Sequence, residues 1–243
     1  MTKKKEPMPL GKLYLIPTPL GDGGPLEVLP ISVKWAIENI NHYIVENEKT
    51  ARRFIKKISP KKSQPELKFN WLNKFTNPEE IPTFLAPCLQ GRDMGLMSEA
   101  GCPGIADPGA QIVRLAHEKN LQVIPLVGPS SILLAMMSSG LNGQNFAFNG
   151  YLSIDNAELR KQIKQLEKKS ADTGQSQIFI ETPYRNNKLL AELLKCLRPS
   201  TLLCVAADIS LSTEFIKTLP VKAWSKIEID LHKRPSIFII KAE

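Results

Sequence analysis

The chain has 243 residues, a formal net charge of +8, 42% apolar residues and 23% charged residues, an ordinary globular composition with enough chain for one large core or two small ones. No apolar run reaches transmembrane length, and the start, Met1-Thr2-Lys3-Lys4-Lys5-Glu6, lacks the apolar core of a signal peptide. The four cysteines are scattered without a CxxC pair and there are only three histidines, so the expectation is a cytoplasmic protein with free thiols, no membrane segment and no metal site.

In chain order, the apolar run from Leu13 to Ile16 predicts a strand, Ile31 to Asn39 a helix, and His42 to Val45 a second strand. Thr50 to Ile58 predicts a helix ended by Ser59-Pro60, and Pro78 to Pro87 mixes prolines with helix formers. Met94 to Met97 predicts a strand. Ser98 to Gly109 follows, a loop with three glycines and two prolines, in which Asp107 before Pro108 reads as a helix cap. Ala110 to Asn120 is a predicted helix, Val123 to Leu126 a strand, and Ser131 to Ser139 an apolar helix stopped at Gly140.

The polar stretch Leu141 to Asn145 reads as a linker between an N-terminal α/β domain, 11–142, and a C-terminal α/β domain, 146–243. In the second half, Phe146 to Phe148 predicts a strand and Asn156 to Lys169 an amphipathic helix, with a polar turn from Ala171 to Gln175. Strand Gln177 to Ile180, helix Asn186 to Leu197, and strands at Leu202 to Ala206, Ile216 to Leu219 and Ser236 to Ile240 complete it. In the first half, short buried strands alternating with helices predict a largely parallel sheet, and two α/β halves put the natural ligand cleft between them.

Three basic clusters account for much of the charge. Lys3, Lys4 and Lys5 form the first. Arg52, Arg53, Lys56, Lys57, Lys61 and Lys62 form the second, beside an expected ligand site, and it reads either as an RNA contact or as a solvated face. Lys161, Lys164, Lys168 and Lys169 share one helix face and read as solvated.

Parallel strands bring their carboxyl ends to one edge, so the loops Pro17 to Gly24, Ser98 to Gly109 and Val127 to Ser131 are expected to meet there. The first lacks GxGxxG spacing and the chain has no P-loop, which argues against a nicotinamide or nucleoside triphosphate site. By pattern alone, Gly128-Pro129-Ser130-Ser131 is a turn followed by a helix cap.

In order, Leu13 to Gly21, SEAGCPGIADPG from Ser98, Pro125 to Ser130, Gly150-Tyr151-Leu152 and Glu181-Thr182-Pro183-Tyr184-Arg185 resemble one family. It is the S-adenosylmethionine-dependent ribosomal RNA small-subunit methyltransferase I family, which methylates a cytidine ribose 2′-hydroxyl and belongs to the tetrapyrrole methylase superfamily; this chain resembles a short, divergent member. The resemblance implies two α/β domains with a cofactor cleft between them, a homodimer, and ribosomal RNA or the small ribosomal subunit as partner. It carries cofactor contacts to Pro17, to Ser98, Glu99, Ala100 and Gly101, to Ser130 and Ser131, and to Leu152. Asp107 is expected to brace the loop.

A ribose hydroxyl is a poor nucleophile at neutral pH, so a base would help. The positions matching the family are Glu46 and Glu181, each of which reads equally as half of an ion pair, and Arg185 is a candidate phosphate ligand with Arg52, Arg53, Lys56 and Lys57. The departures cluster on the acceptor side. Glu46-Asn47-Glu48-Lys49 stands for the family's Glu-Asp-Thr-Arg, and Ser98-Glu99 for Ser-Asp. Ala207-Asp208 stands for Arg-Glu, and Arg234-Pro235-Ser236 for Lys-Gly-Glu. They keep two alternatives open: a same-fold methyltransferase for a small molecule or protein side chain, and a non-catalytic relative that binds cofactor or RNA.

Overall fold

The computed structural model describes residues 9 to 242, so the Lys3, Lys4 and Lys5 cluster lies outside the described residues. The chain divides into two compact units, one running to Pro129 and the other starting at Ser130. The first contains β1 (Leu13–Leu15), α1 (Pro25–Val28), α2 (Ile31–Asn39), β2 (His42–Val45), α3 (Glu48–Ile58), β3 (Lys68–Trp71), α4 (Ala86–Leu89), β4 (Met94–Met97), α5 (Ala110–Glu118) and β5 (Val123–Pro125). Its strands form one parallel sheet in the order β3-β2-β4-β1-β5.

Strand residues alternate between two apolar cores, one on each face. Tyr14, Ile16, Tyr43 and Val45 pack with Val33 and Ile37 of α2 and Ile55 of α3. Leu13, Ile44, Met94 and Leu96 pack with Cys88 of α4 and Ile112 and Ala116 of α5. Both faces are covered, so ligand access is left to the strand ends. α3 starts where the Asn47 side chain accepts from the amides of Lys49 and Thr50, with Glu48 in its first turn and Lys56 and Lys57 in its last. That charge order suits the helix dipole.

Two local expectations change. α5 begins at Ala110, with Gly109 rather than Asp107 at its cap. Gly109 adopts φ +140°, a turn other residues resist, and this carries the chain past Pro108 before the helix starts. β3 has no counterpart among the predicted elements. It is an edge strand whose ends are exposed, so it lacks the buried apolar run that marks its neighbours.

The second unit contains α6 (Ser131–Ser138), β6 (Phe146–Tyr151), α7 (Asn156–Thr173), β7 (Ser176–Ile180), α8 (Asn186–Cys196), β8 (Leu202–Ala207), β9 (Phe215–Pro220) and β10 (Ser236–Lys241). Its sheet order is β6-β7-β10-β8-β9, and only β6 and β7 run parallel. The largely parallel sheet expected of the first half is therefore not repeated in this one. β8 returns directly as β9, and β10 enters antiparallel between β7 and β8.

Ile163, Phe179, Leu193, Val205 and Phe238 belong to its core, with Phe179 and Phe238 stacked at 6.0 Å. α7 continues to Thr173, through most of the segment expected to be a polar turn, and Gly174 ends it. α6 packs on β10, and the Thr218 hydroxyl donates to the Ser139 carbonyl at 2.7 Å. This helix, placed by sequence in the first half, thus groups with the second unit.

Candidate functional site

The three strand-end loops of the first unit meet. Thr18 and Gly101 exchange two backbone hydrogen bonds, each 3.0 Å, tying the loop after β1 to the loop after β4. The Thr18 hydroxyl also donates to the Ser98 carbonyl at 3.3 Å. The Cys102 thiol reaches the Pro129 carbonyl at 3.4 Å, bringing in the loop after β5. Gly128 sits so close to the Pro17 ring that a Cβ there would fall 2.2 Å from the ring carbons. Pro17 and Ser98 to Gly101 are therefore neighbours in space.

Glu46, at the end of β2, joins this cluster. Its Oε1 accepts from the Glu99 amide at 3.3 Å, and the Asn73 side chain holds its carbonyl at 3.1 Å. The Thr50 hydroxyl donates to Glu99 Oε1 at 2.7 Å. Burial is the main reason the Glu46 carboxyl titrates above the usual glutamate range; the Asp107 charge adds to this, and the Glu99 amide opposes it. Asp107 is also shifted up, again chiefly by burial. The Ser98 hydroxyl lies near enough to Asp107 to offset part of that shift, yet it is buried and makes no hydrogen bond of acceptable geometry.

Three carboxylates thus crowd one sheet edge beside an unsatisfied hydroxyl. Among the described residues no group of His, Cys, Asp and Glu is arranged to hold a metal ion. What the cluster can do is hold a proton above the usual carboxylate range and receive hydroxyl or cationic groups of a ligand.

The basic residues of α3 divide. Arg52 donates to Glu48 at 2.8 Å and to the Gln64 carbonyl, and its guanidinium lies 4.7 Å over the Phe69 ring. It is committed to the fold. Arg53, Lys56 and Lys57 are exposed. Arg53 and Lys57, with Thr50 and Phe54, line a cavity of about 190 Å³ whose other walls are the loop after β1 and the segment Met97 to Ala100. Thr50 and Phe54 were not among the residues expected from sequence. Their signal was the helical spacing of 50, 53, 54 and 57, which places all four on one face.

The remaining candidates lie in the second unit. The Ser130 hydroxyl caps α6 by accepting from the Leu133 amide at 3.5 Å, and Ser131 is the first residue of that helix. Leu152 belongs to the apolar core of this unit. Glu181 is buried and bound to the Arg185 guanidinium and to the Thr182 amide, so the second candidate base and a candidate phosphate ligand hold each other. Two positions that depart from the family pattern also pair: Arg234 Nε lies 2.6 Å from Asp208 Oδ2, and the Thr213 hydroxyl donates to the same oxygen at 2.9 Å.

No protein-family model matches the chain. Two curated proteins similar to it are both named ribosomal RNA small subunit methyltransferase I. The one from Synechocystis is 29% identical over 201 residues, spanning 83% of this chain and 68% of the relative. The one from Escherichia coli is 25% identical over 234 residues, spanning 95% and 78%. A solved structure described as the methyltransferase CobJ superposes with a TM-score of 0.63 at 14% identity, covering 96% of this chain and 94% of that one.

Proposed function

On the premise that this chain is a divergent relative of the ribosomal RNA small-subunit methyltransferase I proteins with a tetrapyrrole methylase-like fold, we propose that it is an S-adenosylmethionine-dependent methyltransferase whose acceptor is a cytidine ribose 2′-hydroxyl in ribosomal RNA. The observation that carries this reading is the meeting of the three strand-end loops, Thr18 with Gly101 and Cys102 with Pro129, around a segment that holds the buried Ser98 hydroxyl without a hydrogen-bond partner of acceptable geometry.

The residues present fit the cofactor. An unsatisfied hydroxyl suits a ligand rich in donors and acceptors, and the nearby carboxylates suit a cationic sulfonium. Pro17, Ser98, Glu99, Ala100 and Gly101 are the proposed contacts in the first unit; the family resemblance alone adds Ser130, Ser131 and Leu152. The cofactor supplies an electrophilic methyl group; the protein supplies position and electrostatics.

Of the two candidate bases we favour Glu46. Glu181 is paired with Arg185, whereas Glu46 has no ion-pair partner among the described residues and its raised pKa brings it closer to the operating range of a base. Glu46 would take the proton from the acceptor hydroxyl, leaving its oxygen to receive the methyl group as the methyl carbon–sulfur bond breaks and the neutral thioether departs. Arg53, Lys56 and Lys57 are the cations left for RNA phosphates; Arg52 and Arg185 are engaged within the protein.

A homodimer is part of the proposal, supported by the exposed apolar side chains of Leu133 and Met137 on α6, and sedimentation velocity tests it. Action on ribosomal RNA implies a cytoplasmic site of work. The decisive experiment incubates the protein and labelled S-adenosylmethionine with small ribosomal subunits from cells lacking it. Label on one cytidine ribose is expected. Label on a small molecule or protein, or none, overturns the acceptor.

A further inference from the structure

We infer that the cavity beside α3 is a ribonucleotide pocket, in which Arg53 and Lys57 hold a phosphate and Glu99 receives the ribose. This deepens the RNA reading above and rests on it. Arg53 and Lys57 stand one helical turn apart at the cavity wall, both exposed, and among the described residues neither has an ion-pair or hydrogen-bond partner. Two free cations at that spacing form a clamp for an oxyanion. S-adenosylmethionine carries no phosphate and is itself cationic at sulfur, so this rim suits the acceptor and not the donor.

The other wall has the opposite chemistry. Glu99 Oε1 is fixed by the Thr50 hydroxyl, and its second oxygen has no partner among the described residues. An unpartnered carboxylate oxygen accepts from a ribose hydroxyl. Half-buried Phe54 offers an apolar surface to a base. Asp22 also lines the cavity, but it is exposed and screened by solvent. The loop bearing Ser98 and Glu99 is the one proposed to touch the methyl donor, and donor and acceptor must meet for transfer.

The test measures binding of a fluorescent ten-nucleotide single-stranded RNA by anisotropy, with unlabelled cytidine 5′-monophosphate, its 2′-deoxy analogue and cytidine as competitors. S-adenosylmethionine affinity is measured separately by calorimetry. Cytidine 5′-monophosphate is expected to compete better than either of the others. Arg53→Ala with Lys57→Ala is expected to weaken RNA binding about tenfold and to lower the salt slope by about 1.4, as for two lost phosphate contacts on a single strand. Its cofactor affinity is expected to stay unchanged. Lys161→Ala with Lys164→Ala, on the exposed face of α7, is expected to leave RNA binding as it was. Equal competition by all three competitors, unchanged RNA binding in the Arg53/Lys57 variant, or a loss of cofactor affinity instead overturns the pocket. Absence of cofactor binding to the unmodified protein overturns the methyltransferase reading and leaves the nucleotide result standing by itself.

Discussion

The Thr50 hydroxyl donates to Glu99 Oε1 at 2.7 Å, joining α3 to the loop after β4 across 49 positions of sequence. It is the contact that fixes the Glu99 carboxylate at the cavity wall. Thr50→Val keeps the shape and removes the donor. The expected result is a stability loss of about 0.5–1.5 kcal/mol in denaturant titrations and a larger proportional loss in kcat/KM for RNA, because a freed Glu99 rotates away. Thr50→Ser, which restores the hydroxyl, should recover most of both. A Val variant of unchanged kcat/KM would show that the orientation of Glu99 is irrelevant to the acceptor.

Arg52 is expected to behave as a structural residue. It combines an ion pair with Glu48, a hydrogen bond to the Gln64 carbonyl and a contact over Phe69. With both charged side chains about one-third exposed, the ion pair contributes little, and the sum is about 1–2 kcal/mol. Arg52→Ala should lower thermal stability by that amount while RNA affinity stays within twofold. Arg53→Ala should do the reverse. If the two variants behave alike, the division of the α3 cations is wrong.

Much of this arrangement is legible in the order of residues alone. The runs at 42–45 and 94–97 are apolar and short, and both are strands with the bounds their composition predicts. That the loops of the first unit meet follows from parallel strands, and Gly128 against Pro17 is the contact that makes the meeting close. What escapes is what depends on partners distant in sequence. Arg52 looks like Arg53 in a sequence; Glu48, Gln64 and Phe69 separate them. β3 is half-exposed and has no periodic signature. The antiparallel entry of β10 is a property of topology, which local patterns of apolar residues do not encode.

The pH dependence of Glu46 follows from burial among like charges. Its pKa is raised in the folded state, so the folded protein holds that proton more tightly than the unfolded chain. The contribution to stability is therefore greatest at and below the ordinary glutamate value and falls as pH rises through the folded value. Glu46→Gln, which keeps an oxygen for the Glu99 amide, should melt at or above the unmodified protein at pH 7, with the difference vanishing near pH 4. For catalysis the direction is opposite, since only the ionised form accepts a proton. The acidic limb of kcat/KM should lie above the usual carboxylate range. Glu46→Gln should abolish that limb and reduce kcat by about 100-fold or more. A full-rate Gln variant would remove Glu46 as the base.

Asp208 and Arg234 make a stronger case for coupling than the exposed ion pairs among the described residues. Asp208 is 7% exposed and sits at φ +50°, a conformation that Asn also tolerates. Arg234 meets it at 2.6 Å and donates to the Thr213 carbonyl at 2.6 Å as well. Asp208→Asn therefore removes the charge without disturbing the backbone, and it strands a guanidinium beside a poorly hydrated carbonyl. The expected cost is about 1–3 kcal/mol, and Arg234→Met alone should cost a comparable amount by stranding the carboxylate. Because each single change orphans the other member of the pair and the double change orphans neither, the double variant should lie well short of the sum, with a coupling energy of about 1 kcal/mol or more in a denaturant double-mutant cycle. The pair occupies two of the positions where this chain departs from the family pattern. Additive losses would mean that the two departures arose without reference to each other.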